Sequence, residues 1–174
     1  NPVVGLLAHP GQVDVRITAT GEDNERKILI EQTKKEILER LKETTIIAED
    51  LTPIEYLQNL LIKNNKDLTI LDEASNGYIT SEIGGNPNLN VTGISGRSSA
   101  VEKFQTTNND TISVSIKSEY LDKNVNNLAK GKTYIQISDG TKEITEYQQF
   151  GVRSKIDKQR LLMLVVHLLI KFCV

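Results

Sequence analysis

The stretch that most limits what this chain can become lies near its end. Leu161 to Ile170 is an apolar run broken only by His167 and bounded by Arg160 and Lys171. It falls well short of the roughly 20 residues needed to cross a bilayer. It reads instead as the second half of a closing helix, about Lys155 to Phe172, that is apolar nearly all round. Such a helix has no face to give to water and must be covered on more than one side, by a sheet or across a dimer interface. The rest of the chain therefore has to supply a layered structure.

With 174 residues it has the length for one medium domain or two small ones, and too little for a large multi-domain enzyme. The 38% hydrophobic and 25% charged content is that of a chain that folds.

Several segments announce their structure. Gln12 to Ala19 alternates Val13, Val15 and Ile17 with Asp14, Arg16 and Thr18, the period of a strand with one buried face. From about Asn24 to Lys42, Ile30, Ile37, Leu38 and Leu41 recur at helical spacing. Thr45 to Ala48 is expected to return as a second strand, closing a small α+β unit. Thr52-Pro53-Ile54-Glu55 then carries three helix-start signals together: a hydroxyl cap, proline in the first turn and a glutamate placed for a capping box. The helix from Pro53 should end at Asn64-Asn65-Lys66, before a buried strand at Leu68 to Leu71.

Residues 76–109 are rich in Gly, Asn, Ser and Thr and read as loop. Thr111 to Lys117 and Thr133 to Ile137 alternate as strands, and Asp139-Gly140 marks a hairpin into Glu143 to Phe150. Two units result, 1–49 and 50–174.

Composition removes several function classes. Twenty-one basic against twenty-three acidic residues give a net charge of −2, with no field to gather a polyanion, so nucleic acid is not an expected partner. The lone Cys173 excludes an internal disulfide framework and a cysteine-rich zinc site, which fits a reducing, cytoplasmic setting. The two histidines, His9 in a Pro/Gly loop and His167 in the apolar helix, are not at metal-ligand spacing, so no metal is expected. No leader is visible ahead of Asn1-Pro2-Val3, and no membrane segment is expected. Gly93-Ile94-Ser95-Gly96-Arg97 reads as a plain glycine-bracketed turn, too short for a phosphate loop and not set between helices as an RNA-binding GxxG loop would be. Asp72 and Glu73 follow the apolar strand, where α/β folds commonly place catalytic groups. Adjacent acids on an extended chain point to opposite faces, however, so one of them is expected on the surface.

These segments, in this order, resemble the CinA (competence/damage-inducible) family. Asn1-Pro2 followed by Gly11-Gln12-Val13-Asp14-Val15-Arg16-Ile17-Thr18-Ala19 and a charged helix is similar to that family's small KH-like middle domain. Residues 51–83 look like the start of its C-terminal domain, which resembles nicotinamide mononucleotide deamidases. In that domain a segment A-E-S-C-T-G-G-L-I carries the proposed serine nucleophile. Aligned without gaps, Gly77 and Ile79 match the motif, and Glu73 stands where the serine belongs. A slip of one or two residues brings Ser75 near that place, although a serine is inert without a positioned activator.

Val91-Thr92-Gly93-Ile94-Ser95-Gly96 echoes a second motif, V-T-G-I-A-G-P, but spacing from Gly131 assigns that motif to Ile116–Leu121, where its threonine and glycine are lost. Residues 91–104 then resemble an earlier G-G-V-x-x-Y-S-N-x-x-K stretch, with Lys103 one position from its lysine. Phe150-Gly151-Val152-Arg153 resembles F-x-G-D-R before the last helix, and Arg153 keeps the arginine.

The resemblance implies a mixed α+β and α/β chain: a small KH-like unit, then a shortened deamidase-like domain with a mixed sheet. It implies a catalytically degenerate CinA-like region with a structural, oligomerisation or nucleotide-binding role. The alternative is a nicotinamide mononucleotide deamidase using Ser75, with Arg153 and Lys103 near the phosphate. A pyridine nucleotide ligand, a homo-oligomer and an upstream molybdopterin-binding-like domain in a longer chain follow from the same resemblance, with no cofactor.

Overall fold

A computed structural model describes residues 1–41, 47, 51–95, 110–120 and 131–174. The chain divides into two compact units, Asn1–Asp50 and Leu51–Val174. The expected strand at Thr45–Ala48 lies outside the described residues except for Ile47, which is half-buried and in no strand.

In the first unit β1 (Val3–His9) and β2 (Gln12–Thr18) form an antiparallel hairpin, followed by α1 (Asp23–Arg40), which packs on β2. The turn is Pro10-Gly11, where φ of +86° at Gly11 suits a residue without a Cβ. Asn1 ties the start of the hairpin to its far end, its side chain donating to the Thr20 carbonyl at 2.6 Å and accepting from the Thr20 amide at 3.0 Å.

Two expectations change here. His9 is not in a loop: it ends β1 opposite Gln12, with Nε2 2.9 Å from Asp14 Oδ2. The apolar residues of β2 do not form a buried face either, because no described residue of this unit is buried. Alternation reports which residues share a face, but the cover must come from another element.

The second unit is built on a five-stranded mixed sheet in the order β4-β3-β5-β6-β7. Its strands are β3 (Asp67–Asp72), β4 (Val91–Ser95), β5 (Thr111–Tyr120), β6 (Gly131–Ser138) and β7 (Glu143–Gln148). β3 runs parallel to both β4 and β5, while β5, β6 and β7 form an antiparallel meander. The helices are α2 (Pro53–Lys63), α3 (Tyr78–Ile83) and α4 (Lys155–Cys173).

The capping box read from Thr52 and Glu55 is formed: Thr52 N donates to Glu55 Oε2 at 2.8 Å and Glu55 N donates to Thr52 Oγ1 at 3.3 Å. α4 packs against α2, α3 and β6, which supplies the cover its apolar surface requires. Leu161, Val165 and Leu169 are fully buried along it, as are Leu57 and Leu61 of α2 and Val114, Ile116, Ile135 and Ile137 of the sheet. A second capping box, Ser154 with Asp157, starts α4. The Lys142 ammonium, from the β6–β7 turn, donates to the Phe172 carbonyl at the other end and stands 4.5 Å from the Phe172 ring.

The stretch read as loop, 76–109, contains α3 and β4 before the described residues break off at 95. Both elements are too short to show a clear period. Gly93-Ile94-Ser95 is part of β4, not a turn, while Gly96 and Arg97 lie outside the described residues. Gly93 is required there, since an added Cβ would collide with the Thr80 side chain of α3. No described helix is long and apolar enough to cross a membrane.

Candidate functional site

The parallel strands β3, β4 and β5 deliver their carboxyl ends to one edge of the sheet. β3 has β4 on one side and β5 on the other, so the chain leaves this edge in different directions, the place where open α/β sheets bind ligands. Asp72 ends β3 there, fully buried. The chain then turns through Glu73–Gly77, with left-handed backbone at Asn76 (φ +58°) and Gly77 (φ +82°), and enters α3.

This loop is wound around the Asp72 carboxylate. Oδ1 accepts from the Ser75 amide at 2.8 Å, and Oδ2 accepts from the Gly77 amide at 3.1 Å and the Ile79 amide at 3.3 Å. Ser75 Oγ donates to Oδ2 as well and accepts from the Ile79 amide at 3.2 Å. Carboxyl oxygens removed from water need donors in its place, and these are supplied by three backbone amides and one hydroxyl. The sequence carries the signal as Asp72-x-x-Ser75-x-Gly77, the pattern of an acid that organises its own turn, which the adjacency of Asp72 and Glu73 does not reveal.

Ser75 is fully buried, with its hydroxyl held inside the loop by Asp72 and Ile79. Glu73, in the position aligned with the family's serine, is half-buried, and its amide donates to the Ile116 carbonyl of β5 at 3.0 Å. The expectation that one of the two acids lies at the surface therefore describes Glu73 better than Asp72.

The neighbouring strands extend the same edge. Ser118 of β5 and Thr133 of β6 are opposite each other with hydroxyls 2.9 Å apart, and Thr133 Oγ1 donates to the Phe150 carbonyl at 2.7 Å. Gly131 abuts Gly151 so closely that an added Cβ would lie 2.7 Å from the Gly151 Cα. The Phe150–Arg153 turn is thereby seated on the start of β6, and it leads directly into α4. Arg153 is half-buried, and its amide is 3.4 Å from Asp157 Oδ2.

Burial alone would raise the Asp157 pKa, but the Ser154 amide and hydroxyl and the Arg153 amide hold it below the usual carboxylate value. Tyr78, at the start of α3, is shifted upward by burial and by the nearby Glu82, and its ring lies 6.0 Å from Lys158 Nζ of α4. Ser75 and Arg153 thus stand at one edge of the sheet, two strands apart, and Lys103 lies outside the described residues. Among the described residues no three His, Cys, Asp or Glu side chains converge as metal ligands.

Comparison with known proteins adds the following. No family model matches the chain. Over 84 residues, 48% of this chain and 20% of the relative, it is 33% identical to a CinA-like protein of Prochlorococcus marinus (strain NATL1A). The chain thus spans about a fifth of the length of the curated relative it matches. A CinA superfamily protein from Enterobacter cloacae aligns with 75% of this chain and 96% of its own, at 14% identity and a TM-score of 0.42. A competence or damage-inducible protein from Enterobacter asburiae aligns with 71% of this chain and 98% of its own, at 14% identity and a TM-score of 0.43.

Proposed function

We propose that this chain is a CinA-like region in which a deamidase-type site has become degenerate and that it serves in the assembly or ligand binding of a longer cytoplasmic protein. The observation that carries this reading is the state of the Asp72–Ile79 loop. The only serine in it has a fully buried hydroxyl that donates to Asp72, and a carboxylate side chain, Glu73, replaces the family's attacking hydroxyl. A nucleophile must reach its substrate and have a base to take its proton, and a buried hydroxyl fails the first condition. The 33% identity to a CinA-like protein supports the family reading. On this reading 1–49 is a KH-like unit and 50–174 a shortened deamidase-like domain, with a molybdopterin-binding-like domain upstream.

What remains at the sheet edge suits recognition. Arg153, beside the α4 start, is the group to meet a nucleotide phosphate, with Lys103 as a second candidate. The test is a coupled ammonia assay with nicotinamide mononucleotide, run beside a thermal-shift titration with the same compound. The expected result is a rise in melting temperature with no ammonia released. Ammonia release abolished by Ser75→Ala would establish the deamidase alternative and overturn this one; no melting shift with pyridine or adenine nucleotides would remove the ligand-binding role.

A further inference from the structure

The loop wound around Asp72 also carries an Asn-Gly pair, Asn76-Gly77, and no other asparagine in the chain is followed by glycine. Such a pair is the most self-reactive of asparagine junctions, because glycine has no side chain to shield its own amide nitrogen. That nitrogen attacks the asparagine Cγ: a new N–Cγ bond closes a five-membered imide and the Cγ–Nδ2 bond breaks. The proton shed by the glycine amide leaves with Nδ2 as ammonia. Water then opens the imide at either carbonyl, giving aspartate or isoaspartate. Asparagine is thermolabile through this chemistry, which needs no reactant besides the chain and water.

Asn76 is exposed, so water reaches it. The attacking nitrogen is differently placed. The Gly77 amide donates to Asp72 Oδ2 at 3.1 Å, and the Gly77 carbonyl accepts from the Ser81 amide of α3 at 3.0 Å. On the other side of Asn76, the Ser75 amide donates to Asp72 Oδ1 at 2.8 Å. The reactive pair, left-handed at both residues, is thus pinned from both ends by one carboxyl group and by α3. Attack requires the Gly77 N–H bond to be given up and the peptide between the two residues to swing toward Cγ. An N–H engaged with Asp72 opposes the first, and a carbonyl engaged with α3 opposes the second.

We infer that Asn76 is a self-modification site held in check by Asp72, and that it converts only when the loop comes away from that side chain. Its rate is then the rate in a free chain multiplied by the fraction of time the loop is open. Conversion sets a carboxyl group where a neutral amide stood. Isoaspartate also lengthens the main chain by one methylene, which carries the Gly77 amide off Asp72 and keeps the loop from closing as before. The step is one-way, and it releases one ammonia per chain whether or not a nucleotide is present, which separates it from turnover of nicotinamide mononucleotide.

The test follows Asn76 by peptide mapping and mass spectrometry in the whole chain at neutral pH, folded and in urea, with hydrogen exchange of the Gly77 amide measured in parallel. Folding should slow the conversion roughly tenfold or more, by a factor that matches the exchange protection of the Gly77 amide. Asp72→Ala should raise the folded-state rate roughly tenfold, while Ser75→Ala, which leaves the Gly77 bond in place, should raise it far less. Leu169→Ala truncates the core without touching any of the loop's hydrogen bonds, and should leave the rate near that of the natural chain. Equal rates in the folded and unfolded chain, or a Leu169→Ala effect as large as that of Asp72→Ala, would overturn the inference. If Asp72→Ala does not fold, the natural chain decides alone: slowing of the conversion that departs from the Gly77 exchange protection sinks the guarding role.

Discussion

At the scale of single residues, Asp72 is the side chain on which the edge of the sheet depends. Truncating it leaves the Ser75 and Gly77 amides and the buried Ser75 hydroxyl without their acceptor, and each unsatisfied group costs about 1–3 kcal/mol before the loop relaxes. Asp72→Ala should therefore lower stability by about 3 kcal/mol or more in urea denaturation. Asp72→Asn should do nearly as badly, because its amide would turn donors toward donors. Ser75→Ala, which removes one hydroxyl and leaves the carboxylate bonded to the amides, should cost about 1 kcal/mol.

Asp139 gives the pH test. Amide donation from Lys142 is the first cause of its low pKa, with Thr141 adding to it, and the value is pushed down to about 2. A depressed folded-state pKa means that the unfolded chain takes up the proton first. The Asp139 contribution is thus fully present above the unfolded value of about 4 and is lost as pH falls toward 2. Stability measured between pH 5 and 2 should fall less steeply in Asp139→Asn than in the natural chain.

At the scale of elements, legibility followed the number of residues that share one period. α2 could be placed from four residues, Thr52 to Glu55, because a capping box is a local device that needs no partner. β5 and β6 alternate over enough residues to reveal their buried faces. β1 was missed for the opposite reason: apolar on both faces, it has no alternation, and its role depends on what lies beside it. α3 and β4 have six and five residues, too few for a period to emerge from a polar stretch. The Asp72 loop was only half legible, since the turn signal is local but the acid sits on a strand flanked on both sides, by β4 and β5, which its own sequence does not show.

The elements also carry a prediction. Gly93 lets α3 lie against β4, so Gly93→Ala should lower the melting temperature, at a cost of about 1–3 kcal/mol, as overpacking does. Gly85→Ala, where the nearest atom to a new Cβ is 3.9 Å away, should have little effect.

At the scale of the molecule, the two units differ in how they are held. Leu51–Val174 has a core of fully buried aliphatic residues from three helices and three strands, whereas no described residue of the first unit is buried. A fragment of residues 51–174 should therefore unfold cooperatively with a melting temperature close to that of the whole chain, as differential scanning calorimetry would show. Residues 1–50 alone should show no cooperative transition, since a hairpin and one helix without a core are marginal in water.

On the reading proposed above, the wound loop at the end of β3 has a consequence for anyone wishing to put hydrolysis back. Exchanging Glu73 for serine would restore the missing group in name only, because the amides best placed to greet a developing negative charge already have a tenant. Asp72 would have to be evicted first, and the loop redesigned to stand without it.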